Sequence, residues 1–194
     1  PRINAAGRLD HANAAYALLT AQDETEALEL ARALNLTNSE RQAITEKMFT
    51  LAKEQIGELK KDDYLVTAYD PTWSLGMVGL VAGKLTQEYN RPALVLCDNQ
   101  GRVAGSARSA LGFDLSAALN ECSNILTGFG GHKEAAGFNL PKKNLEKFLH
   151  QMKAIAAKQL ASTNATAEIK VDLDLPLARA DWKLQADVAI LEPY

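Results

Sequence analysis

The stretch Gly130-Gly131-His132-Lys133-Glu134-Ala135-Ala136-Gly137 constrains this chain more than any other. Two adjacent glycines let a backbone turn tightly, or approach a ligand with no Cβ in the way. The histidine that follows donates from both ring nitrogens when charged. Two alanines and a glycine then permit a closely packed strand or a second close approach. A glycine-rich loop of this kind reads either as a turn that serves the fold or as a pocket for an anion, with phosphate foremost.

The surrounding sequence, from about residue 62 to 160, alternates strand and helix signals. Residues 64–69 read as a strand that Asp70-Pro71-Thr72 ends. Residues 76–89 read as a helix with Met77, Leu80, Val81 and Leu85 on one side. Gly76 and Gly79 near its start allow close backbone approach, and a helix start attracts anions. An apolar run over 92–97, a turn at Asp98-Asn99-Gln100-Gly101 and a second strand through Gly105-Ser106-Ala107-Arg108-Ser109 read as a hairpin. A helix follows over 115–125, then the glycine-rich loop and a strand ending at Leu140. Pro141 opens a last helix through Leu160, with Leu145, Phe148, Leu149, Met152 and Ile155 as its apolar face. This order predicts an α/β domain with a mixed sheet. On the second hairpin strand Ser106 and Arg108 share a face, because alternate strand residues do. A hydroxyl beside a guanidinium is a donor set for phosphate. An edge-strand charge kept for solubility is the other reading of Arg108.

Residues from about 10 to 60 are predicted to be helical. Asp23-Glu24-Thr25-Glu26 places acids in a first helical turn. Leu28, Ala31, Leu34 and Leu36 follow, and Thr37-Asn38-Ser39-Glu40 reads as a cap region between two helices. Beyond it Ile44, Met48, Leu51, Ala52 and Ile56 recur at helical spacing and predict a long amphipathic connecting helix. In the opening Pro1-Arg2-Ile3-Asn4-Ala5-Ala6-Gly7-Arg8-Leu9, spacing leaves Arg2 and Arg8 open between solvated ends and phosphate ligands. At the other end, a polar linker at 161–166 precedes Ile169, Val171, Leu173 and Leu175. Alternating with Lys170, Asp172 and Asp174, these read as a half-buried strand. A helix-like stretch covers 182–191.

Three of these segments together resemble the RecJ family of single-strand-specific exonucleases, in the DHH/DHHA1 phosphoesterase superfamily. They are the PRINAAGR opening, the GSARS strand and the GGHKEAAGF stretch. The segment from Trp73 through Ala82 and the closing Leu191-Glu192-Pro193-Tyr194 are similar to family segments too. Many relatives carry a histidine where this chain has Ser74, a departure from the family pattern. The resemblance implies three regions: an interdomain motif with connecting helices (1–61), a DHHA1 domain (62–161), and an incomplete lead into a β-rich OB-fold domain (167–194).

The resemblance further implies the substrate-binding portion of an enzyme that hydrolyses single-stranded DNA from its 5′ end, in repair and recombination. The fragment itself is then inactive. Ser106 and Arg108 would hold a terminal phosphate. Gly130, Gly131 and His132 would contact the nucleotide or the scissile phosphate, and His132, the catalytic candidate, would stabilise developing charge. Arg2, Asn4 and Arg8 would line the passage between domains. The divalent metal, Mn²⁺ or Mg²⁺, would belong to a DHH domain outside this chain, with no metal site here. The partners implied are single-stranded DNA and the DHH and OB-fold domains of the same parent chain. Two other readings share the GGH stretch: a phosphodiesterase for short oligonucleotides or cyclic dinucleotides, and a non-catalytic nucleic-acid-binding DHHA1 module.

Bulk properties narrow these expectations. The net charge is −3 and the pI about 5.7, so contact with nucleic acid must rest on a few placed residues rather than a basic face. Cys97 and Cys122 form no CxxC, and both read as reduced, buried thiols of a cytoplasmic protein. Three scattered histidines offer no metal-ligand spacing, and Asp10-His11 is the nearest approach to a DHH triplet. No apolar run reaches the roughly 18 residues of a membrane span.

Overall fold

A computed structural model describes residues 2–9, 12–161, 171 and 173–191. Helices α1 (Arg2–Leu9), α2 (Asn13–Thr20) and α3 (Glu24–Ile56) precede the sheet. The remaining order is β1 (Val66–Tyr69), α4 (Leu75–Tyr89), β2 (Ala93–Asn99), β3 (Arg102–Arg108), α5 (Leu115–Glu121), β4 (Gly128–Gly131), β5 (Ala135–Leu140), α6 (Leu145–Leu160) and α7 (Trp182–Ala189).

The first helix is not foreseen by composition. Its buried face is only Ala5 and Ala6, which lie against α2 and α3. The expected break at Thr37-Asn38-Ser39-Glu40 is also absent, because α3 runs through it unbroken for 33 residues. The hydroxyls of Thr37 and Ser39 turn back to the carbonyls of Ala33 and Asn35, each at 3.1 Å, instead of capping a new helix. Asn38 is buried and accepts from Arg41 Nη2 at 3.0 Å. The start of α3 is as expected, with Asp23 accepting from the Glu26 amide at 2.9 Å.

The five strands form one mixed sheet in the order β1-β2-β3-β5-β4. β1 and β2 are parallel, joined by α4 as crossover, and the other pairings are antiparallel. Gln100 and Gly101, both at positive φ, make the tight turn between β2 and β3. One face of the sheet packs on α5 and α6, where Leu94, Leu96, Phe138 and Leu140 meet Leu119, Phe148 and Met152. The Phe138 and Phe148 rings lie 4.8 Å apart, tilted at 47°. The other face packs on α4 and α3, where Val66, Ala68, Ala93, Val95 and Cys97 meet Met77, Val81, Leu85 and Met48. Exposed Lys53–Glu88 and Lys84–Glu46 pairs tie α3 to α4.

Both sheet edges are modified. At β1 the Tyr69 amide donates to the Gln55 side chain of α3 at 3.1 Å. At the opposite edge β4 is four residues long, Gly-Phe-Gly-Gly, and fully exposed. This corrects the expectation of a loop, since Gly130 and Gly131 end a strand and only residues 132–134 turn. Gly131 has φ +144° and lies so close to β5 that a Cβ would sit 2.3 Å from the Ala135 carbonyl oxygen.

The C-terminal expectation is corrected in part. Val171 and residues 173–175 have no strand assignment, and Val171 and Leu173 are exposed. A strand needs a neighbouring strand for its ladder, and the sheet order β1-β2-β3-β5-β4 includes none of these residues. Ile169, Lys170 and Asp172 lie outside the described residues, as do Asp10, His11 and the final Glu192-Pro193-Tyr194.

Candidate functional site

An open cleft of about 630 Å³ lies between α1, the first turns of α4, and the β3–β5 part of the sheet. Asn4 and Arg8 come from α1, Gly76 and Gly79 from α4, and Ser106 and Arg108 from β3. Three separate sequence motifs therefore meet on one wall. Strand alternation aims Ser106 and Arg108 at the α4 side of the sheet. Helical spacing of four puts Asn4 and Arg8 on one face of α1.

The donors are held in place. Arg108 Nη1 donates to Ser106 Oγ at 2.9 Å and to its neighbour's carbonyl, Ala107, at 2.8 Å. Arg8 Nη1 donates to the carbonyl of Gly76 at 3.0 Å, locking α1 onto α4. Burial, and then the Arg8 charge, lower the Arg108 pKa from its ordinary value. Two guanidinium groups thus sense each other in a cleft whose described lining has no carboxylate. The Ser74 hydroxyl makes no capping bond at the start of α4. Gly79 packs tightly here: a Cβ would sit 3.1 Å from Arg108 Nη2 and 3.2 Å from Ser106 Oγ, so those side chains would have to give way by a few tenths of an ångström.

Not every expected residue reaches the cleft. Arg2 faces the other way, its Nε donating to Asn35 Oδ1 of α3 at 2.8 Å. It shares the helix face of buried Ala6, not that of Asn4 and Arg8. Gly130 lies across the sheet from Ser106, in register with Gly137, which pairs with Ser106. Gly130 and Gly131 are exposed but outside the cleft lining, and so is His132 on the turn after β4. The His132 amide donates to the Ala135 carbonyl at 2.8 Å. Ile3, Gly105 and Gly137 line the cleft without having been singled out. The signal for the glycines is their position inside strands, where the residue weakens pairing and marks close approach. Among the described residues, no three His, Cys, Asp or Glu side chains gather where they could hold a metal ion. No described helix is long and apolar enough to cross a membrane.

Residues 61–158 match the DHHA1 domain family model, just over half of the chain. The chain is 35% identical over its whole length to the single-stranded-DNA-specific exonuclease RecJ of Bacillus subtilis, of which it covers 25%. It superposes on the crystal structure of RecJ in complex with Mg²⁺ from Thermus thermophilus with a TM-score of 0.82. There the identity is 30%, over all of this chain and 30% of that one. A crystal structure of exonuclease RecJ bound to manganese matches 81% of this chain and 39% of that one, at 33% identity and a TM-score of 0.72. The chain thus spans about a quarter to a third of the length of the curated relatives it matches.

Proposed function

The chain belongs to the DHHA1 domain family, and from that premise we propose that it is the substrate-binding portion of a single-stranded-DNA exonuclease that works from the 5′ end. The observation that carries this reading is the pair Arg8 and Arg108, brought from distant parts of the sequence into one cleft with no described carboxylate. Holding two cations together unpaired is unfavourable unless an anion joins them, and a terminal phosphate supplies the charge and the acceptor oxygens. Ser106 adds a hydroxyl, Asn4 an amide, and Gly76 and Gly79 let the phosphate approach the α4 backbone.

The domain boundaries proposed are 1–61, 62–161 and 167–194, with the middle region carrying the cleft. From the turn after β4, His132 reaches toward the nucleotide or scissile phosphate, and the exposed backbone of Gly130 and Gly131 lies beside the strand. Arg2, bonded to α3, supports α1 instead of touching substrate. Divalent metal ions held by a DHH domain outside these residues would activate water for the hydrolysis. Within this chain, the residues bind the end phosphate and orient the first nucleotide, which sets the distance from the end at which cleavage occurs.

The test is fluorescence anisotropy of the chain with one short single strand, ending in either a 5′-phosphate or a 5′-hydroxyl. The phosphorylated strand binds more tightly, and Arg108→Ala abolishes the difference. Losing a charge-assisted contact costs about 1.5–3 kcal/mol, or at least about tenfold in affinity. Equal binding of the two strands by the wild type refutes an end-reading cleft.

A further inference from the structure

On β3 the side chains of Arg102, Ala104, Ser106 and Arg108 share one face, so a second arginine points to the same side as the cleft. Six steps along the strand at about 3.4 Å each separate Arg102 from Arg108, a span of about 20 Å. The neighbouring strands continue that face. Ser106 is in register with Gly137 and Gly137 with Gly130, while Ala104 is in register with Asn139 and Asn139 with Gly128. Gly128, Gly130, Gly137 and Asn139 are all exposed on this side. Three of these four have no side chain, so the sheet offers an open shelf leading away from the cleft.

At the far end of that shelf is a second hollow of about 460 Å³, lined by Asn99, Gln100, Arg102, Thr127 and Asn139. Every lining side chain is polar. None of the five makes a hydrogen bond or ion pair through its side chain with another described residue. The nearest acid in sequence, Asp98, points to the opposite face of the sheet and is paired with Lys142 at 2.7 Å. Arg102 therefore carries an uncompensated charge among neutral donors, on the same track as the end-phosphate cleft.

We propose that this hollow is a second contact for the same strand, with Arg102 taking an internal backbone phosphate while the amides and hydroxyl of Asn99, Gln100, Thr127 and Asn139 hold the adjoining sugar or base. It rests on the reading that the cleft at Arg108 holds the strand's end. At the stacked rise of about 3.4 Å per nucleotide the two arginines are about six nucleotides apart, and fewer if the strand is extended. The end cleft then reads the phosphate, and the Arg102 hollow reads whether enough strand follows it.

The test uses the full-length parent protein with divalent metal chelated, so that strands bind without being cut. Anisotropy is measured with a 5′-phosphorylated dinucleotide and a 5′-phosphorylated dodecanucleotide, for wild type, Arg102→Ala, Asn139→Ala and Arg108→Ala. Arg102 is exposed beside a turn, so its substitution leaves the fold intact. Arg102→Ala lowers affinity for the dodecanucleotide about tenfold. It also reduces the salt dependence of that binding by about one phosphate contact. Dinucleotide binding is unchanged, and Asn139→Ala shows the same pattern more weakly. Wild-type affinity for the dodecanucleotide in Arg102→Ala, alongside a loss in Arg108→Ala, overturns the second contact and leaves the end cleft standing. Wild-type behaviour of both strands in Arg108→Ala overturns the end cleft itself and the second contact with it.

Discussion

The junction of α1 and α4 can be tested by the same substitution made twice in one helix. Gly76 lies in the first turn of α4, and a Cβ there would sit 2.5 Å from the carbonyl oxygen of Arg8. That is about 0.9 Å short of ordinary van der Waals contact, and the obstacle is backbone. Gly76→Ala must therefore push the end of α1 outward and break the Arg8 Nη1 to Gly76 carbonyl bond, now 3.0 Å. Overpacking of this kind costs about 1–3 kcal/mol. Gly83, seven residues further along α4, has open space around its would-be Cβ. Gly83→Ala contributes about 0.8–1 kcal/mol of helix propensity with no clash. For a chain of this size each kcal/mol moves the melting temperature by about 2–4 °C. Thermal unfolding should thus show Gly83→Ala melting above wild type and Gly76→Ala below it. Gly76→Ala should also bind a 5′-phosphorylated strand several-fold more weakly, because Arg8 has moved. Equal stabilisation by both substitutions would refute the close approach of α1 to α4, and with it the placement of Arg8 in the cleft.

Three other outcomes follow from the packing and the charges. Gly105→Ala puts a Cβ 2.5 Å from Phe138 Cζ, with that ring buried and already against Phe148, so it should lower stability by about 1–3 kcal/mol in a thermal scan; an unchanged melting temperature would count against the packing of that face. Lys142, then the Tyr69 hydroxyl, hold the Asp98 carboxyl below the ordinary carboxylate value. A depressed folded-state pKa contributes stability that is present above the unfolded value and is lost as pH falls through the folded one. Lys142→Met should therefore bring the Asp98 titration up toward its ordinary value and flatten the acid loss of stability, and an unmoved carbon-detected NMR titration would disprove the pairing. Burial, and then the Glu121 charge, push the Cys122 thiol up to about 11; iodoacetamide at neutral pH should leave it intact in the folded chain and alkylate it in urea, and ready alkylation of the native protein would contradict its burial.

The parts of the site that local periodicity controls were readable in advance. Ser106 and Arg108 had to share a face once they were on one strand, and the alternating burial of β5 repeats the rule. What periodicity did not decide was which partner each face would meet. Arg2 and Arg8 look alike in sequence, yet Asn35 of α3 takes one and the Gly76 carbonyl takes the other. The first helix was missed because two alanines make a weak apolar signal, although they are enough where another helix lies close. The Gly130-Gly131 strand was missed because glycine is depleted in strands, and here the β5 ladder overrides that preference. At Thr37-Asn38-Ser39-Glu40 four cap-forming residues misled for a complementary reason: the same hydroxyls can satisfy themselves on the preceding turn.

The two margins of the sheet have a further bearing on how this protein behaves in a crowded solution. An unpaired strand margin invites another chain to add itself, and long, apolar, flat margins are the ones that seed aggregates. At β1 the helix α3 stands alongside, and its Gln55 already occupies a backbone donor that a newcomer would need. At β4 three of four residues are glycine, so an incoming strand would find few side chains to pack on and would have to immobilise a pliant backbone. The bareness that would leave room for the proposed nucleotide beside β5 thus also makes that margin a poor template, so an open strand here offers little to further copies of the chain.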